Sequence, residues 1–553
     1  MLGKIKLKII KFCTSYPKSV IAISLLSSII FISGIPKIVQ DDDMVRLLPD
    51  DLPSIKTFSD ITDEFGNYEF MYIAMGNKNR DVFESDFLKI VWDISKDFEQ
   101  LQNTLGSTVD EVISISTTQK ISAKIESVYD PFEGTIIDTT MNPQDLITKA
   151  ILDKNEIQEI KNYLDNNLNI KSQLISKNND YVNIMIRPKD NHDYAFLSNM
   201  IHEISSKYKF DNNGEKIEYH FGGQSYISGA VPGIVAKEVK VLALYGLMIM
   251  TLILLINLKN IQSVILILTI ISLSLLSMLG FMGWVYYLTL SPDFYFTLNN
   301  TSMPIILLTI ANSDGVHIIS RFFKELRIFK HTKQAVVSTM DNLFKPISLT
   351  SITTMAAFLT LIFSPLEGMN GYGITLAFGI GWAWILSLTL MPALISTLNW
   401  DPNSKAVTKP SYIELAMTKF GRIATNHPKK ILIIGLSAVL ISITGLFNLK
   451  VEVNMSEMFR PGSVIKDSAD FLDENMTGNL NVLIKVSGAD TANFNMKKPE
   501  NLKSIEKLQN YLDDMDAVST TMSIVDVVKQ LHKVIEGDNP KFETIPNDRD
   551  KIN

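Results

Sequence analysis

One apolar run, at residues 302–323, carries ionisable side chains where a membrane segment usually has none. The run reads SMPIILLTIANSDGVHIISRFF and is long enough to cross a bilayer, which takes about 20 residues. Asp314 and His317 lie near its middle and Arg321 near its end, and the spacing i, i+3 and i+7 places all three on one helical face. An ionisable group at the centre of a membrane helix costs about 2.5–3.5 kcal/mol on insertion scales and is usually functional. The stripe therefore predicts a site that handles protons.

The composition indicates membrane spans combined with large polar domains. Of 553 residues, 46% are hydrophobic and 20% are charged, which is too apolar for a soluble protein and too polar for spans alone. The net charge of −7 gives no sign of a nucleic-acid partner. Cys13 is the only cysteine, so no intramolecular disulfide stabilises the polar domains. Cys13 is either an inert buried thiol or a lipidation site beside the first span.

Seven apolar runs are predicted to span the membrane. The first follows a basic N-terminus, residues 1–16, and no small-residue cleavage site comes after it, so it is interpreted as an uncleaved anchor. The predicted spans are 17–37, 237–257, 261–285, 302–324, 346–364, 372–398 and 429–449.

The distribution of Lys and Arg predicts the orientation of these spans. The N-terminus, the turn at Lys259, the loop at 321–333 and the linker at 399–428 are basic, whereas the loops at 286–301 and 364–371 contain no Lys or Arg. Basic loops stay on the cytoplasmic side. The N-terminus is therefore expected in the cytoplasm.

The same orientation places two polar regions, 38–236 and 450–553, outside the cytoplasm. The first alternates strand-like and helix-like patterns, which predicts a small α+β sandwich, with a split βαβ arrangement as the closest simple motif. The predicted strands are 70–75, 112–117, 181–186 and 217–221, and the predicted helices are 85–101, 145–166 and 194–208.

The second half of the chain begins like the first. SYPKSVIAISLLSSIIFISGI at 15–35 is similar to NHPKKILIIGLSAVLISITGL at 426–446, and EFGNYEFMYIAMG at 64–76 is echoed by MTGNLNVLIKVSG at 476–488. Internal repeats are common in secondary transporters. The second copy stops about halfway through its outer domain, so the sequence is interpreted as truncated: a fragment, a split gene, a half that pairs with another chain, or a protein shortened by design.

The order of these parts resembles the RND superfamily of exporters, most closely its MMPL-type branch of hydrophobe and lipid exporters. The resemblance rests on ANSDGVHIISRFFKELR at 311–327, KPISLTSITTMAAFLTLIFSPL at 345–366, GYGITLAFGIGWAWILSLTLMPALI at 371–395 and FGGQSYI at 221–227. It implies a multi-pass α-helical protein of the bacterial inner membrane with periplasmic, ferredoxin-like porter domains. It also implies a five-span block, roughly 237–398, related to sterol-sensing domains.

Two departures from the family pattern stand out. Many relatives have a Tyr after the acid, where this chain has Gly315, and full-length members have five further spans, one of them often with a partner acid. The expected partners are protons, membrane lipids, a hydrophobic or lipid substrate, and a second half-chain or another copy of this chain.

A proton relay through Asp314 and His317 is the predicted mechanism. Desolvation disfavours a charged carboxylate, and an imidazole one turn on titrates near neutral pH. The alternative is that these two side chains pair and lock helices together. Arg321 is expected to extend to the cytoplasmic surface. The hydroxyls of Thr350, Thr353 and Thr354 in the fifth span are predicted to hydrogen-bond the acid. The alternative is that they bond the preceding carbonyls of their own helix, as such groups often do.

Small residues recur every four positions in the sixth span, at Gly373, Ala377 and Gly381, which predicts close helix packing.

The sequence contains no HExxH, Walker or GxSxG motif and no cysteine-rich cluster, so no enzyme activity, metal or cofactor is expected. The predicted function is proton-motive-force-driven export of lipids or other hydrophobic compounds. The alternatives are a lipid- or sterol-sensing scaffold without turnover and a protein-translocation accessory of the same superfamily.

Overall fold

The chain divides into two compact units. The structure is a computed structural model that describes residues 2–40, 48–49, 51–66, 68–102, 108–130, 134–189, 193–211, 214–408, 412–449, 459–487 and 496–552. The membrane unit comprises 1–52 and 231–452, and the polar unit comprises 53–230 and 453–553. The sequence also predicts a weaker repeat between RLLPDDLPS at 46–54 and EMFRPGSV at 457–464, and both segments lie partly outside the described residues.

Helices form nearly all of the membrane unit. Its described helices are α1 (Leu2–Ser15), α2 (Pro17–Ile32), α8 (Gln224–Leu258, which begins in the polar unit), α9 (Ile261–Thr289), α10 (Met303–Phe329), α11 (Thr332–Leu359), α12 (Met369–Leu388), α13 (Leu390–Thr397), α14 (Lys405–Thr408), α15 (Tyr412–Asn426) and α16 (Pro428–Gly445).

Seven helical stretches among the described residues are long and apolar enough to cross a membrane. They are Pro17–Lys37, Gln224–Leu258, Ile261–Thr289, Asn299–Phe329, Thr332–Phe363, Met369–Thr397 and Pro428–Asn448. The prediction of a multi-pass α-helical membrane protein is therefore confirmed.

Two of these helices begin well before the predicted starts at 237 and 346. α8 and α11 each continue through an internal proline, Pro232 and Pro346. A proline usually marks a helix start or a break, which is why the sequence patterns placed the fifth span after residue 345. Buried apolar side chains at Ala335, Val336 and Met340 extend α11 toward its N-terminus.

The polar unit is built on a four-stranded antiparallel sheet. The described strands of the whole unit are β1 (Met71–Gly76), β2 (Val109–Ile113), β3 (Gln119–Asp130), β4 (Gly134–Asp145), β5 (Tyr181–Pro188) and β6 (Glu218–Gly222). Its described helices are α3 (Pro53–Phe65), α4 (Ser85–Gln102), α5 (Lys154–Asp165), α6 (Leu168–Leu174), α7 (Tyr194–Lys207), α17 (Val464–Asn475), α18 (Pro499–Asp513), α19 (Ile524–Ile535) and α20 (Arg549–Ile552).

The order of strands in this sheet is β2-β5-β1-β6. Helix α4 connects β1 to β2, and β5 lies between those two strands. Helix α7 likewise connects β5 to β6, with β1 between them. One face of α4 enters the core through Phe87, Val91, Ile94 and Phe98, each at most 1% exposed. An apolar helix face packed on a sheet is the usual two-layer arrangement.

The region between β2 and β5 differs from the prediction. β3 and β4 pair in register over their whole lengths as a separate hairpin, which the sequence patterns did not predict. The helix predicted over 145–166 is wrong at its start, because β4 ends at Asp145 and α5 begins only at Lys154. The missed signal is the pair Asp153 and Glu156, which forms a capping box at that helix start.

The C-terminal part of the polar unit packs on the sheet. Helix α17 lies against β6, and the Asn479 side chain accepts a hydrogen bond from the Gly223 backbone N–H at 2.8 Å. Residues 481–487, the counterpart of β1 in the predicted repeat, form no strand with the described residues. The repeat therefore stays a prediction.

Candidate functional site

Asp314 lies at the centre of a candidate membrane span. The stretch Asn299–Phe329 has 31 residues, and Asp314 is the middle one. The residue is 8% exposed, and the other buried side chains of α10 include Leu307, Ile318 and Phe322. No described cation forms an ion pair with its carboxylate. A carboxyl group buried in a membrane span with no cation beside it is usually functional.

Ser351 on α11 is the side chain that hydrogen bonds Asp314. Its Oγ donates to Asp314 Oδ2 at 3.4 Å, which is long for a hydroxyl–carboxylate bond. Sequence reasoning did not select Ser351. A signal was present, because Phe344, Ile347 and Ser351 recur at helical spacing and form the buried face of α11. A serine on that otherwise apolar face needs a polar partner.

The three threonines that were predicted to support Asp314 bond their own helix instead. The hydroxyl of Thr350 donates to Pro346 O at 3.0 Å, that of Thr353 to Leu349 O at 2.9 Å, and that of Thr354 to Thr350 O at 2.8 Å. Such bonds to the preceding turn are the usual behaviour of Thr in membrane helices.

Gly315 allows α10 to approach α9 closely beside the acid. A Cβ at this position would lie 3.0 Å from Ile267 Cγ1 and 3.1 Å from Ile267 Cγ2. Ile267 is fully buried. A side chain at this position would therefore require Ile267 to shift.

His317 does not share the environment of Asp314. Asp314 is buried, whereas His317 is exposed and makes no hydrogen bond, ion pair or ring contact with any described residue. The two side chains are therefore not paired, and the polar stripe divides between the interior of the unit and its surface.

Arg321 joins an ion pair at the end of the span. Its Nη2 lies 2.7 Å from Glu325 Oε1, and the Glu325 side chain is only 7% exposed. Ser338 on α11 donates to the other oxygen of Glu325 at 2.9 Å. Sequence reasoning missed Glu325, although the i, i+4 spacing in RFFKE was a visible signal. Through Ser338 and Glu325, α10 and α11 are linked a second time, nearer the C-terminal end of α10 than the contact between Asp314 and Ser351.

Glycines of the sixth span lie against α11 and the turn that follows it. A Cβ on Gly373 would lie 2.5 Å from Phe358 O, and one on Gly381 would lie 3.1 Å from Met355 Cε. Ala377 is 3% exposed. Trp384 donates from its indole N–H to Ser348 Oγ at 3.1 Å across the same interface. These contacts hold α12 close to the helix that carries Ser351.

A separate cluster of titratable side chains lies in the polar unit, where α17 meets β6. The His220 ring stacks on Phe471 with 3.7 Å between centroids and 6° between planes. Burial lowers the pKa of His220, and the nearby charges of Glu218 and Lys78 act in opposite directions. Tyr181 donates to Glu218 Oε2 at 2.7 Å. The cluster joins the C-terminal segment to the sheet.

The described residues contain no group of three or more His, Cys, Asp or Glu side chains placed to hold a metal ion. The candidate site of the membrane unit consists of the buried acid Asp314, the hydroxyl donor Ser351 and the ion pair of Arg321 with Glu325 near the end of the same helix as the acid.

Comparison with known proteins places the chain in a family. The model of the MMPL family matches residues 108–430, more than half of the chain. A protein of Methanocaldococcus jannaschii that is named as a membrane protein is 30% identical over 90 residues, which are 16% of this chain and 23% of that relative. The chain thus spans less than a quarter of the curated relative in this match. The family match runs through α8 to α13 and includes the acid-bearing helix, so the chain belongs to the MMPL family of RND-type membrane permeases.

Proposed function

We propose that this chain is a proton-motive-force-driven secondary transporter that exports lipids or other hydrophobic compounds across the inner membrane. The supporting observation is the buried carboxyl of Asp314, at the midpoint of a candidate span, with a hydroxyl donor and no described cation beside it. Such a carboxyl can bind and release a proton as its surroundings change. Each proton that crosses contributes about 2.3 kcal/mol per 100 mV of membrane potential.

In this mechanism, Asp314 holds the proton, and the hydrogen bond of Ser351 couples the charge state of Asp314 to α11. Ser351 Oγ donates to the charged carboxylate, while a protonated Oδ2 would itself become the donor. Protonation thus reverses the hydrogen bond between α10 and α11, and the change reaches α12 through the close packing at Gly373. His317, exposed one turn away, exchanges the proton with the surface of the unit.

The domain organisation belongs to the same proposal. The basic loops support a cytoplasmic N-terminus and the extracytoplasmic position of 38–236 and 450–553. The predicted spans belong to the proposal as well, although the helices α8 and α11 begin before the predicted starts at 237 and 346. A ferredoxin-like porter domain is supported by the strand order β2-β5-β1-β6 and by the two connecting helices α4 and α7.

Efflux of a hydrophobic dye from cells tests the proposal. Cells that express the full chain are loaded with Nile red, and dye loss is followed with and without a protonophore. Asp314→Asn cannot alternate between charged and neutral forms, so efflux should fall to that of cells without the protein. The matched control is Asp401→Asn, which makes the same chemical change at an exposed turn.

Immunoblots of the membrane fraction must show equal amounts of both variants. Wild-type efflux in Asp314→Asn would contradict proton coupling through this residue. Lipid binding by the purified protein that ignores both Asp314→Asn and pH, with no protonophore-sensitive efflux by the wild type, would favour the sensor or scaffold alternative.

A further inference from the structure

An apolar groove opens on the membrane unit where α1 meets α2 and α12. Its volume is about 530 Å³, and Lys8 and Phe12 lie at one end of it. Cys13 and Val20 line the groove at buried positions, at most 4% exposed, and pack in a small apolar cluster with Ala393. The groove is independent of the acid-bearing site, because none of its lining residues belongs to α10 or α11.

The walls of the groove follow two spans along the membrane. One wall comes from α2 between Val20 and Ser27, and the other from α12 and the next residues between Trp382 and Thr389. Each wall uses positions i, i+3, i+4 and i+7, so each spans about 10 Å along its helix. A slot of this shape suits an extended hydrocarbon chain.

The deep end of the groove is closed. Trp382 donates from its indole N–H to Ser28 Oγ at 3.2 Å, and the ring of Phe31 packs edge-on against Trp382 with 5.0 Å between centroids. A chain that enters can therefore extend only from the tryptophan toward the basic end.

The open end carries positive charge. Lys8 lines it and is exposed, with no ion-pair or hydrogen-bond partner among the described residues. Lys6, two positions earlier, instead lies 2.6 Å from Asp341 Oδ1 in an ion pair. A free ammonium group above an apolar slot is complementary to a ligand with an anionic head and a hydrocarbon tail.

We infer that this groove binds an anionic phospholipid, with one acyl chain between α2 and α12 and the phosphate beside Lys8. A free phosphate ion would leave the apolar walls exposed, and a zwitterionic lipid would not use the lysine as fully. The lipid ties the amphipathic α1 to the first and sixth spans. This site is separate from the proton-coupling site, so lipid binding can be tested independently of the proposed transport.

Native mass spectrometry of the full chain tests the site. The protein is released from nanodiscs of phosphatidylcholine that contain a minor fraction of phosphatidylglycerol, and the retained lipids are identified by mass. Phosphatidylglycerol should be retained in preference to phosphatidylcholine. Lys8→Gln should weaken that retention about fivefold, whereas Lys11→Gln, with the same charge change on an exposed residue of α1 outside the groove, should alter it less than about twofold.

A second pair of variants tests the acyl slot. Ile23 lines the groove but is 56% exposed, so Ile23→Trp can occupy the slot without entering the core. This variant should abolish retention with every lysine intact. Leu26→Trp, on the same helix at a residue 61% exposed and outside the groove, should retain the lipid like the wild type.

Three outcomes would overturn the inference. Equal losses in Lys8→Gln and Lys11→Gln would indicate diffuse surface attraction. Equal retention in Ile23→Trp and Leu26→Trp would place the chain elsewhere. A dimer that Ile23→Trp abolishes, without retained phosphatidylglycerol, would assign the groove to a second copy of this chain.

Discussion

Ser351 connects the candidate proton site to a second helix through one hydroxyl group. Replacing it in Ser351→Ala removes the donor to Asp314 Oδ2 and leaves the rest of α11 intact. A long hydrogen bond contributes at the low end of the usual range, so we expect dye efflux to slow about two- to fivefold rather than to stop.

The comparison variant for Ser351→Ala is Thr350→Ala, one residue earlier. Thr350 donates to Pro346 O of its own helix, so its loss should leave efflux nearly unchanged. A larger defect in Thr350→Ala than in Ser351→Ala would contradict the assignment of Ser351 as the partner of Asp314.

The acid itself could be predicted from sequence, because an ionisable group in an apolar run is conspicuous. Its hydroxyl partner could not be selected as easily. Thr350, Thr353 and Thr354 carry the same kind of group as Ser351, and only the rotation of α11 decides which hydroxyl faces α10. That rotation is fixed by the apolar side chains of Phe344 and Ile347.

Close packing between α11 and α12 depends on the absence of a side chain at Gly373. A Cβ there would lie 2.5 Å from Phe358 O and 2.9 Å from Leu361 Cβ, and a backbone oxygen cannot move aside alone. Gly373→Ala should therefore destabilise the protein by about 1–3 kcal/mol. Thermal unfolding in detergent, followed by tryptophan fluorescence, measures the effect.

Gly246→Ala is the matched control for this substitution. The nearest atom to a Cβ at Gly246 is Leu308 Cδ1 at 3.8 Å, an ordinary contact. Because alanine favours a helix over glycine by about 1 kcal/mol, this variant should be neutral or more stable. A similar fall in melting temperature for both variants would exclude close α11–α12 packing as the cause.

The contact between α17 and β6 should weaken in acid. Burial lowers the pKa of His220 below its ordinary value, so the open state binds the proton more readily than the packed state. The stabilisation is present at neutral pH and is lost as the pH falls below about 6.5. Hydrogen exchange of β6 and α17 amides, corrected for intrinsic rates, should show lower protection at about pH 5.5 than at about pH 7.5.

His220→Phe keeps an aromatic ring against Phe471 without a titratable group. The acid-dependent loss of protection should shrink in this variant, although His202, whose pKa is also lowered by burial, retains its own contribution. His427→Phe, at an exposed position before α16, serves as the control. Undiminished acid sensitivity in His220→Phe would show that this ring does not set the response.

Long apolar runs made the seven candidate spans predictable, whereas the polar unit was predicted only in outline. The four strands of the sheet and the helices α4 and α7 were expected near their observed positions, but the start of α5 was placed too early and the β3–β4 hairpin was missed. Its signal was the alternation of Ile121, Ala123 and Ile125 with polar residues. Strand pairing is a long-range property, so local patterns alone did not separate this hairpin from a loop.

The orientation in the membrane is a property of the entire chain and has a direct test. The loop at 321–333 is basic, and the loop at 286–301 has no Lys or Arg, so these loops are predicted to lie on opposite sides. Because Cys13 is the only cysteine, Cys13→Ser gives a background without thiols. Leu288→Cys and Ile328→Cys then place one thiol at each end of the membrane, at residues 74% and 71% exposed.

A membrane-impermeant maleimide applied to spheroplasts should label Leu288→Cys at once and Ile328→Cys only after the membrane is opened. Ile434→Cys, in the interior of α16 and 64% exposed, should stay unlabelled in both conditions because it lies inside a candidate membrane span. Immediate labelling of Ile328→Cys, with protection of Leu288→Cys, would invert the orientation. The polar unit would then face the cytoplasm, and a proton entering at His317 would approach Asp314 from the opposite compartment.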